Sequence, residues 1–370
     1  MSIESYVLEL QKQKKHGIVS QLVLSGLAGL EYVYKKGVLH KYEKDLLDAV
    51  SVNIPVISVG NITAGGTGKT PCIMYLAKLL QKEGSHPAVL SRGYKSGWEN
   101  IGGIVSNQTS IMATQKMAGD EPYMMALKLS GVPVLVGKDR ISSAEKAIHM
   151  GVDVLLLDDG FQYWRLKRDL DIVLVDCTNP FGYGHMIPRG LLREPLSALG
   201  RAHVFILTKC DQVNDDVKED IQKQLYHLAP HALILRAEYE TIGVIPFNQW
   251  KDHVHDERSV DLPGKKVLVV SGIGNPSAFA ETIKRTGLRQ VGALFFSDHH
   301  DYTCEDMASI DQKAAENGAD MVVITEKDAV KIMGLSNIEE LQIPIFVLEI
   351  EMRFLGEGEK LLQTQWEKFL

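Results

Sequence analysis

The chain has 370 residues, and its apolar (45%) and charged (24%) fractions are typical of a soluble globular protein long enough for two domains. Its formal net charge of −7 argues against general nucleic-acid binding, because that affinity comes from basic surfaces that neutralise phosphates. The four cysteines are far apart and form no CxxC pair, so the pattern predicts neither a zinc site nor a disulfide framework and fits a reducing cytosol.

The N-terminal segment combines an apolar run with basic flanks. Residues 17–30 are mostly apolar, and they are preceded and followed by the lysines Lys12, Lys14, Lys15, Lys35 and Lys36. Polar residues interrupt the run, which is shorter than the about 20 apolar residues of a membrane span. No small-residue cleavage site follows it, so no signal peptide is predicted. The segment fits either a helix in a membrane interface or a helix packed on a domain surface.

The most informative stretch follows the apolar run Ile54–Val59 and reads Thr-Ala-Gly-Gly-Thr-Gly-Lys-Thr-Pro. A strand, a glycine-rich turn, Lys-Thr and a helix in this order wrap backbone N–H groups around the phosphates of a nucleotide. The helix, predicted from Thr70 to Glu83, directs the positive end of its dipole at them. We expect Lys69 to reach the β- and γ-phosphate oxygens and the Thr70 hydroxyl to ligate Mg²⁺. The predicted nucleotide-binding residues are Thr63, Ala64, Gly65, Gly66, Thr67, Gly68, Lys69 and Thr70, with Thr63 at a position where the strict pattern has glycine.

Apolar strands alternate with helical stretches from residue 54 onward. The strand runs are nearly continuous, as expected for parallel strands buried on both faces. The pattern predicts an α/β fold with a P-loop NTPase-like, doubly wound parallel sheet and a second, smaller α/β domain. We expect an N-terminal helical segment (1–40), a nucleotide-binding domain (41–237), a linker rich in Pro, Gly, His and charges (238–265), a smaller α/β domain (266–350) and a C-terminal helix (351–370).

Carboxylates occur where an α/β sheet binds its ligands. Asp158 and Asp159 end a buried strand, and ligands bind at the carboxyl edge of such a sheet. After a P-loop, acids at this edge hold Mg²⁺ directly or through water, so both are metal candidates. Asp120 precedes a predicted helix in Gly-Asp-Glu-Pro. It can cap that helix or act as a general base that takes a proton from an acceptor hydroxyl.

Arginines and a histidine pair follow other strands or lie in loops. Because guanidinium groups suit phosphoryl oxygens, substrate or phosphate contacts are predicted for Arg92, Arg140, Arg189 and Arg193. His299 and His300 stand between aspartates, where they could bind a transition metal or tune a neighbouring acid. Metal-dependent phosphoesterases that carry Asp-His-His also need further acidic motifs upstream, so a proton-handling histidine is favoured here.

Two other functions compete with phosphoryl transfer. Thr208–Asp211 reads Thr-Lys-Cys-Asp and resembles the guanine-reading motif of GTPases, which supports a switch GTPase or a nucleotide-driven metallochaperone. A nucleotide-binding scaffold without catalysis is the third hypothesis. Saturation by GTP but not ATP would indicate the GTPase, and an unchanged rate after replacement of Asp120 would remove that residue from catalysis.

Taken together, the motifs resemble the tetraacyldisaccharide 4′-kinases of lipid A biosynthesis. The resemblance covers most of the chain, and its motifs occur in the same order. They are Ser-Val-Gly-Asn-Ile-Thr-Ala-Gly-Gly-Thr-Gly-Lys-Thr-Pro (58–71), Ser-Arg-Gly-Tyr (91–94), Gly-Asp-Glu-Pro (119–122), Lys-Asp-Arg (138–140), Asp-Asp-Gly-Phe-Gln (158–162), Leu-Arg-Glu-Pro (192–195), Asp-His-His (298–300) and Thr-Glu-Lys-Asp-Ala (325–329). The family also carries threonine at the position of Thr63.

The resemblance implies transfer of the γ-phosphate of ATP, with Mg²⁺, to the 4′-hydroxyl of a tetraacylated glucosamine disaccharide 1-phosphate, a lipid A precursor. It implies that Asp120 is the base, coupled to His299 or His300, with His300 favoured. It also implies that residues 1–40 associate with the inner membrane, as a peripheral contact on the cytoplasmic face.

Overall fold

The computed structural model describes residues 9–11, 17–252 and 262–370. The first long element is helix α1, Ile18–Leu47, so the predicted N-terminal helix extends past residue 40. The flanking lysines Lys12, Lys14 and Lys15 lie outside the described residues, as does the part of the predicted linker at 253–261. Within the described part of the chain, no helix has both the length and the hydropathy needed to cross a membrane.

The first half of the sheet surrounds the glycine-rich turn. Its strands follow the order β8-β7-β6-β1-β5-β2-β4-β3, and all neighbours are parallel except β3 and β4. The strands are β1 Val56–Asn61, β2 Pro87–Ser91, β3 Gly103–Ser106, β4 Val134–Val136, β5 Val154–Asp158, β6 Leu170–Asp176, β7 Val204–Thr208 and β8 Leu233–Pro246. The helices between them are α2 Lys69–Lys82, α3 Gln115–Ala118, α4 Asp120–Lys128, α5 Arg140–His149 and α6 Asp215–Leu228. Most of the central strands are buried on both faces, which confirms the predicted parallel sheet.

The second half of the sheet follows the order β10-β9-β11-β12, and its four strands are parallel to one another. The strands are β9 Lys266–Ser271, β10 Arg289–Phe295, β11 Met321–Thr325 and β12 Ile345–Phe354. The helices are α7 Phe247–Lys251, α8 Pro276–Arg285, α9 Cys304–Glu316, α10 Glu326–Ile332 and α11 Gly358–Trp366. Both sets of strands therefore have the α/β organisation that the sequence predicts.

Strand β8 belongs to both halves. Its beginning, up to Arg236, pairs in parallel with β7, and the remainder, Ala237–Pro246, pairs antiparallel with β12. The second segment extends beyond the carboxyl ends of the first set, and β12 returns along it in the opposite direction. The carboxyl ends of the two sets consequently face each other across a cleft. A register shift opposite Glu349 and Ile350 marks a β-bulge at Ile242.

The interpretation of residues 238–246 as part of a linker is wrong, because this segment is the second part of β8. Its glycine, proline and charged residues suggested a loop. The strand is only partly buried along most of this length, so polar side chains project to solvent while apolar ones such as Val244 pack inward. A C-terminal helix is present as α11, which packs through the buried Trp366, but it begins later than the predicted residue 351, because residues 351–354 still belong to β12.

Candidate active site

The glycine-rich turn joins β1 to α2, and α2 begins within one residue of the predicted position. Gly68 adopts φ +89°, and a Cβ there would lie 1.4 Å from the Tyr239 hydroxyl oxygen. Only glycine therefore fits both the backbone conformation and the available space. Tyr239 is on β8, so the shared strand closes the turn from one side.

The segment that resembled a guanine-reading motif supports this turn. The Thr208 hydroxyl donates a hydrogen bond to the Thr67 carbonyl over 3.1 Å, and the Lys209 ammonium donates one to the Gly66 carbonyl over 3.2 Å. Lys209 also forms an ion pair with Asp176, while Asp211 pairs with Arg285 at 2.8 Å. Thr208 and Lys209 thus satisfy carbonyl groups of the turn and leave its N–H groups for an anion.

Lys69 and Asp159 belong to one charged cluster. The Lys69 ammonium lies 3.6 Å from Asp159 Oδ1 and 3.3 Å from the side-chain oxygen of Asn61. Arg193 binds Asp159 through two parallel hydrogen bonds of 2.7 Å and also donates one to Gln162. Burial opposes ionisation of Asp159, but Lys69 and Arg193 outweigh it and hold its pKa well below the usual range. Asp159 is thereby an anion already paired with two cations.

Asp158 has a different environment. It is buried, its Oδ2 accepts a hydrogen bond from Ser91 over 2.8 Å, and its Oδ1 has no hydrogen-bond partner among the described residues. Burial first, and then the charges of Glu121 and Asp159, raise the pKa of Asp158 to about 6. A buried carboxylate oxygen without a partner carries a large free-energy cost unless something binds it.

A divalent cation fits this donor set. The Thr70 hydroxyl donates to Glu121 Oε2 over 3.2 Å, and Glu121 acts electrostatically on Asp158, so hydroxyl and carboxylate oxygens converge beside the turn. Oxygen ligands of this kind suit Mg²⁺, which keeps several waters and takes the rest of its shell from a few carboxylates and phosphates. Accordingly, the described residues contain no group of three or more His, Cys, Asp or Glu that could hold a metal alone.

Asp120 is the first residue of α4, and Gly119 occupies the capping position, so the alternative in which Asp120 caps this helix is wrong. Its Oδ1 accepts a hydrogen bond from Gln115, and its Oδ2 lies 3.7 Å from the ammonium of Lys331 on α10. Asp120 is adjacent to Glu121, which contacts Thr70. The residue predicted as base is therefore next in the chain to an acid that contacts the helix-start threonine, and its own carboxylate contacts Gln115 and Lys331.

The two histidines lie in the loop after β10. His300 Nε2 is 3.0 Å from Asp306 Oδ2, and its ring stacks on Phe296 at 4.5 Å between centroids. His299 is exposed, has φ +61°, and lies 4.0 Å from Asp298. Neither histidine makes a recorded contact with Asp120 among the described residues, although Asp298 acts electrostatically on Lys327, the partner of Glu121.

The four predicted arginines differ in the partners that they contact. Arg193 joins the Asp159 cluster, and the buried Arg140 places its guanidinium 3.5 Å from the Asp158 carbonyl oxygen. Arg92 instead pairs with Glu99. Arg189 contacts Glu31 of α1 at 3.5 Å. Two of the four arginines thus contact the acids at the end of β5, whereas Arg92 and Arg189 pair with other acids.

Sequence reasoning assigned no role to several residues of the site. Glu121 accepts hydrogen bonds from Thr70 and Lys327, and Lys331 approaches Asp120. Burial alone would raise the pKa of Glu121, but Lys327 outweighs it and lowers the pKa. Both lysines lie in or directly after the motif Thr-Glu-Lys-Asp-Ala. This motif could have indicated a functional role for the segment, but the sequence does not show that the segment packs against α4.

These features define a class. A strand-turn-helix cradle with Lys-Thr at the helix start and a buried carboxylate at the end of the neighbouring strand are the features of a P-loop phosphate-binding site.

Comparison with known proteins identifies the family within this class. A family model described as tetraacyldisaccharide-1-P 4′-kinase matches residues 21–368. The tetraacyldisaccharide 4′-kinase of Halothermothrix orenii is 38% identical over 96% of this chain and 95% of its own length. That of Syntrophus aciditrophicus is 40% identical over 86% of each chain. The structure of LpxK from Aquifex aeolicus in complex with ATP matches with a TM-score of 0.72 and 28% identity, covering 94% of this chain and all of that one.

The chain belongs to the tetraacyldisaccharide 4′-kinase family, as its motifs predict, and it is a kinase rather than a GTPase or metallochaperone.

Proposed function

We propose that this kinase transfers the γ-phosphoryl group of ATP to the 4′-hydroxyl of a tetraacylated disaccharide 1-phosphate, with Asp120 as the general base. The observation that carries the assignment is the hydrogen bond from Thr70 to Glu121, because Asp120 is the residue next to Glu121 at the start of α4. It supports a position of the Asp120 carboxylate near the point where the γ-phosphate would leave the turn. Proton removal by a positioned carboxylate is the only covalent chemistry such a site needs from the protein.

The remaining residues have supporting roles. The N–H groups of residues 65–70 would cradle the phosphates, whereas the Ala64 N–H already donates to the Leu191 carbonyl over 2.7 Å. Lys69 would leave Asp159 for the β- and γ-oxygens when a nucleotide binds. Of the two metal candidates, Asp158 is better suited, since its Oδ1 has no partner within the described part of the chain and Asp159 is held by Arg193. Asp158 and Thr70 would hold the Mg²⁺ ion, which neutralises charge on the phosphates. Arg140 and Arg193 would stabilise phosphoryl oxygens from the sides.

The two predicted α/β domains, 41–237 and 266–350, would act as the two walls of the cleft. The opposed carboxyl ends of their strands support this division, because they direct the histidine loop toward the glycine-rich turn. Cleft closure on bound substrates would bring His300 toward Asp120 and exclude water. We favour His300 over His299 because a carboxylate and two aromatic rings already fix its ring.

A direct transfer assay tests the function. We expect purified protein, radiolabelled ATP and a tetraacylated disaccharide 1-phosphate in detergent to yield a product labelled at the 4′ position. Labelled GTP is expected to label far less product at the same concentration. ATP consumption without labelled lipid, or labelling at another hydroxyl, would contradict the proposal.

Helix α1 supports a peripheral membrane contact. At about 100° per residue, Ile18, Val19, Leu22, Leu30 and Val33 fall within an arc of about 120°. All five side chains are largely exposed, with Leu22 at 69% and Val33 at 67%. The opposite face packs on the nucleotide-binding half through side chains that include Tyr34 and Val38. An apolar arc that remains exposed on a docked helix suits the lipid–water interface on the cytoplasmic side of the inner membrane.

We expect the double variant Leu22→Asp/Leu30→Asp to bind anionic phospholipid vesicles at least about tenfold more weakly, because two apolar side chains no longer enter the interface. Vesicle co-sedimentation measures the change. Leu361→Asp, on α11 and 45% exposed, is the control that should retain wild-type binding. Equal binding by the double variant and the wild type would exclude this arc as the contact.

A further inference from the structure

We propose that Lys331 is a positioning residue for phosphoryl transfer, which fixes the carboxylate of Asp120 from the opposite wall of the cleft. The inference rests on the proposed role of Asp120 as base. The Lys331 ammonium lies 3.7 Å from Asp120 Oδ2, and its side chain is only 5% exposed. On the other side, Gln115 donates a hydrogen bond to Oδ1. The carboxylate is thus held between α3 and α10.

The burial of Lys331 needs an explanation. Removing an ammonium group from water has a large free-energy cost unless an anion accompanies it. The recorded ion pair of Lys331 within the described residues is the one with Asp120, whose side chain is 21% exposed. A lysine placed only for solubility would extend into solvent. Here the ammonium group of Lys331 is paired with Asp120, the carboxylate proposed as the base.

A neighbouring lysine repeats the arrangement. Lys327 precedes Lys331 by one helical turn, so both project from the same face of α10. Lys327 pairs with Glu121, and Lys331 pairs with Asp120, so two consecutive acids at the start of α4 meet two lysines one turn apart. Two parallel ion pairs fix the rotation of α10 against α4 better than one pair can. This arrangement sets where the Asp120 carboxylate points.

The N-terminal end of α10 is fixed by hydrogen bonds. The Thr325 side chain caps the helix by accepting from the Asp328 N–H. The Asp328 carboxylate is fully buried and accepts from the Gly272 N–H and the Tyr302 hydroxyl, each over 3.0 Å. Tyr302 also packs edge-on against His300 at 5.0 Å. The element that carries Lys331 is therefore tied to the histidine loop.

The kind of cation matters for a positioning role. Lysine presents a compact charge without the planar fork with which arginine occupies both oxygens of a carboxylate. At 3.7 Å the contact is an ion pair rather than a hydrogen bond, so the Oδ2 lone pairs remain available to an acceptor hydroxyl. Lys331 can hold the carboxylate in place without blocking the proton transfer.

The variant Lys331→Met tests the inference, since it keeps the length of the side chain and removes the charge. We expect kcat to fall by about 10- to 100-fold, the loss expected from a misplaced reacting group, while KM for ATP changes less than about twofold. Val330→Ala is the matched control, because it loosens the buried packing of the same helix without altering a charge. It should lower the melting temperature but keep wild-type kcat. A similar fall in kcat for both variants would show a structural role and overturn the inference.

A double-mutant cycle with Asp120→Asn shows whether Lys331 acts through Asp120. If it does, Lys331→Met should lower kcat by less than about threefold in the Asp120→Asn background, because the group it positions is absent. A full additional loss in that background would mean that Lys331 acts on the substrate directly, and would overturn the inference. Wild-type kcat for Lys331→Met beside an inactive Asp120→Asn would overturn the inference and leave the proposed function intact. Wild-type kcat for Asp120→Asn would overturn the base assignment, and the role of Lys331 with it.

Discussion

Replacement of Asp120 by asparagine is expected to lower kcat by at least about 100-fold while the affinity for ATP stays near the wild-type value. Asparagine keeps the shape of the side chain and its contact with Gln115 but cannot accept the proton of the 4′-hydroxyl. The turn between β1 and α2 is the proposed ATP site, and Asp120 makes no hydrogen bond to that turn among the described residues. Initial rates at saturating ATP and nucleotide titration by calorimetry measure the two quantities.

The exposed Asp215 provides the control, because Asp215→Asn removes a carboxylate from the first turn of α6, where it pairs with Lys218. This variant should keep wild-type kcat. A turnover of Asp120→Asn within a few-fold of the wild type would remove Asp120 as the base. An equal loss of ATP affinity would instead place its carboxylate in nucleotide binding.

Replacement of Lys128 by methionine is expected to destabilise the fold by about 3–5 kcal/mol, the usual consequence of breaking a buried ion pair on one side. Lys128 on α4 lies between Glu326, the first residue of α10, and Glu349 of β12, with 2.6 Å to the latter. All three side chains are less than 9% exposed. Burial alone would lower the pKa of Lys128, but the two carboxylates outweigh it and raise it. Methionine leaves both carboxylates buried without their cation.

The sign of the pH dependence distinguishes this explanation from a simple packing defect. Burial already raises the pKa of Glu326 in the wild type, against the opposing effect of Lys128. Without Lys128 the native state binds protons more readily than the unfolded state, so the variant should regain stability as the pH falls from 8 to 5. Urea unfolding at the two pH values measures this difference.

Lys284→Met is the control, because it removes one partner of an exposed pair with Glu281 and should change stability by less than about 0.5 kcal/mol. A loss of stability in Lys128→Met that is the same at both pH values would contradict the buried-charge explanation.

The parts of this site that the sequence predicts are those that depend on local backbone geometry. The glycine-rich turn is recognisable because Gly68 must adopt positive φ and leave room for Tyr239. Asp158 is recognisable because it ends a buried strand. In each case the chemistry and the conformation are specified by neighbours in the chain, so the strand-turn-helix and the strand-end acid are found where they are expected.

Contacts between distant segments could not be predicted in this way. The choice between Asp158 and Asp159 depends on Arg193, which takes one of them as an ion-pair partner. Lys327 and Lys331 contact the site only because α10, which follows β11, packs against the start of α4 in the folded chain. Thr208–Asp211 shows the opposite error, since a local likeness to a GTPase motif concealed a role in supporting the carbonyl side of the turn.

Strand β8 has a mechanical consequence. It carries Tyr239 against the turn and, a few residues further on, the bulge at Ile242, beyond which it continues alongside β12 in the second wall. The walls are therefore joined by a ladder of main-chain hydrogen bonds, interrupted at this bulge, rather than by a tether alone, which limits how freely they can separate. Opening of the cleft must bend this ladder, and the bend should occur at the bulge, where the hydrogen bonding is weakest. The angle between the two walls should therefore vary over only a small range. Substrate binding that closes the cleft would then have to bend the ladder between the walls. Relaxation of this bend would favour reopening of the cleft and release of the product.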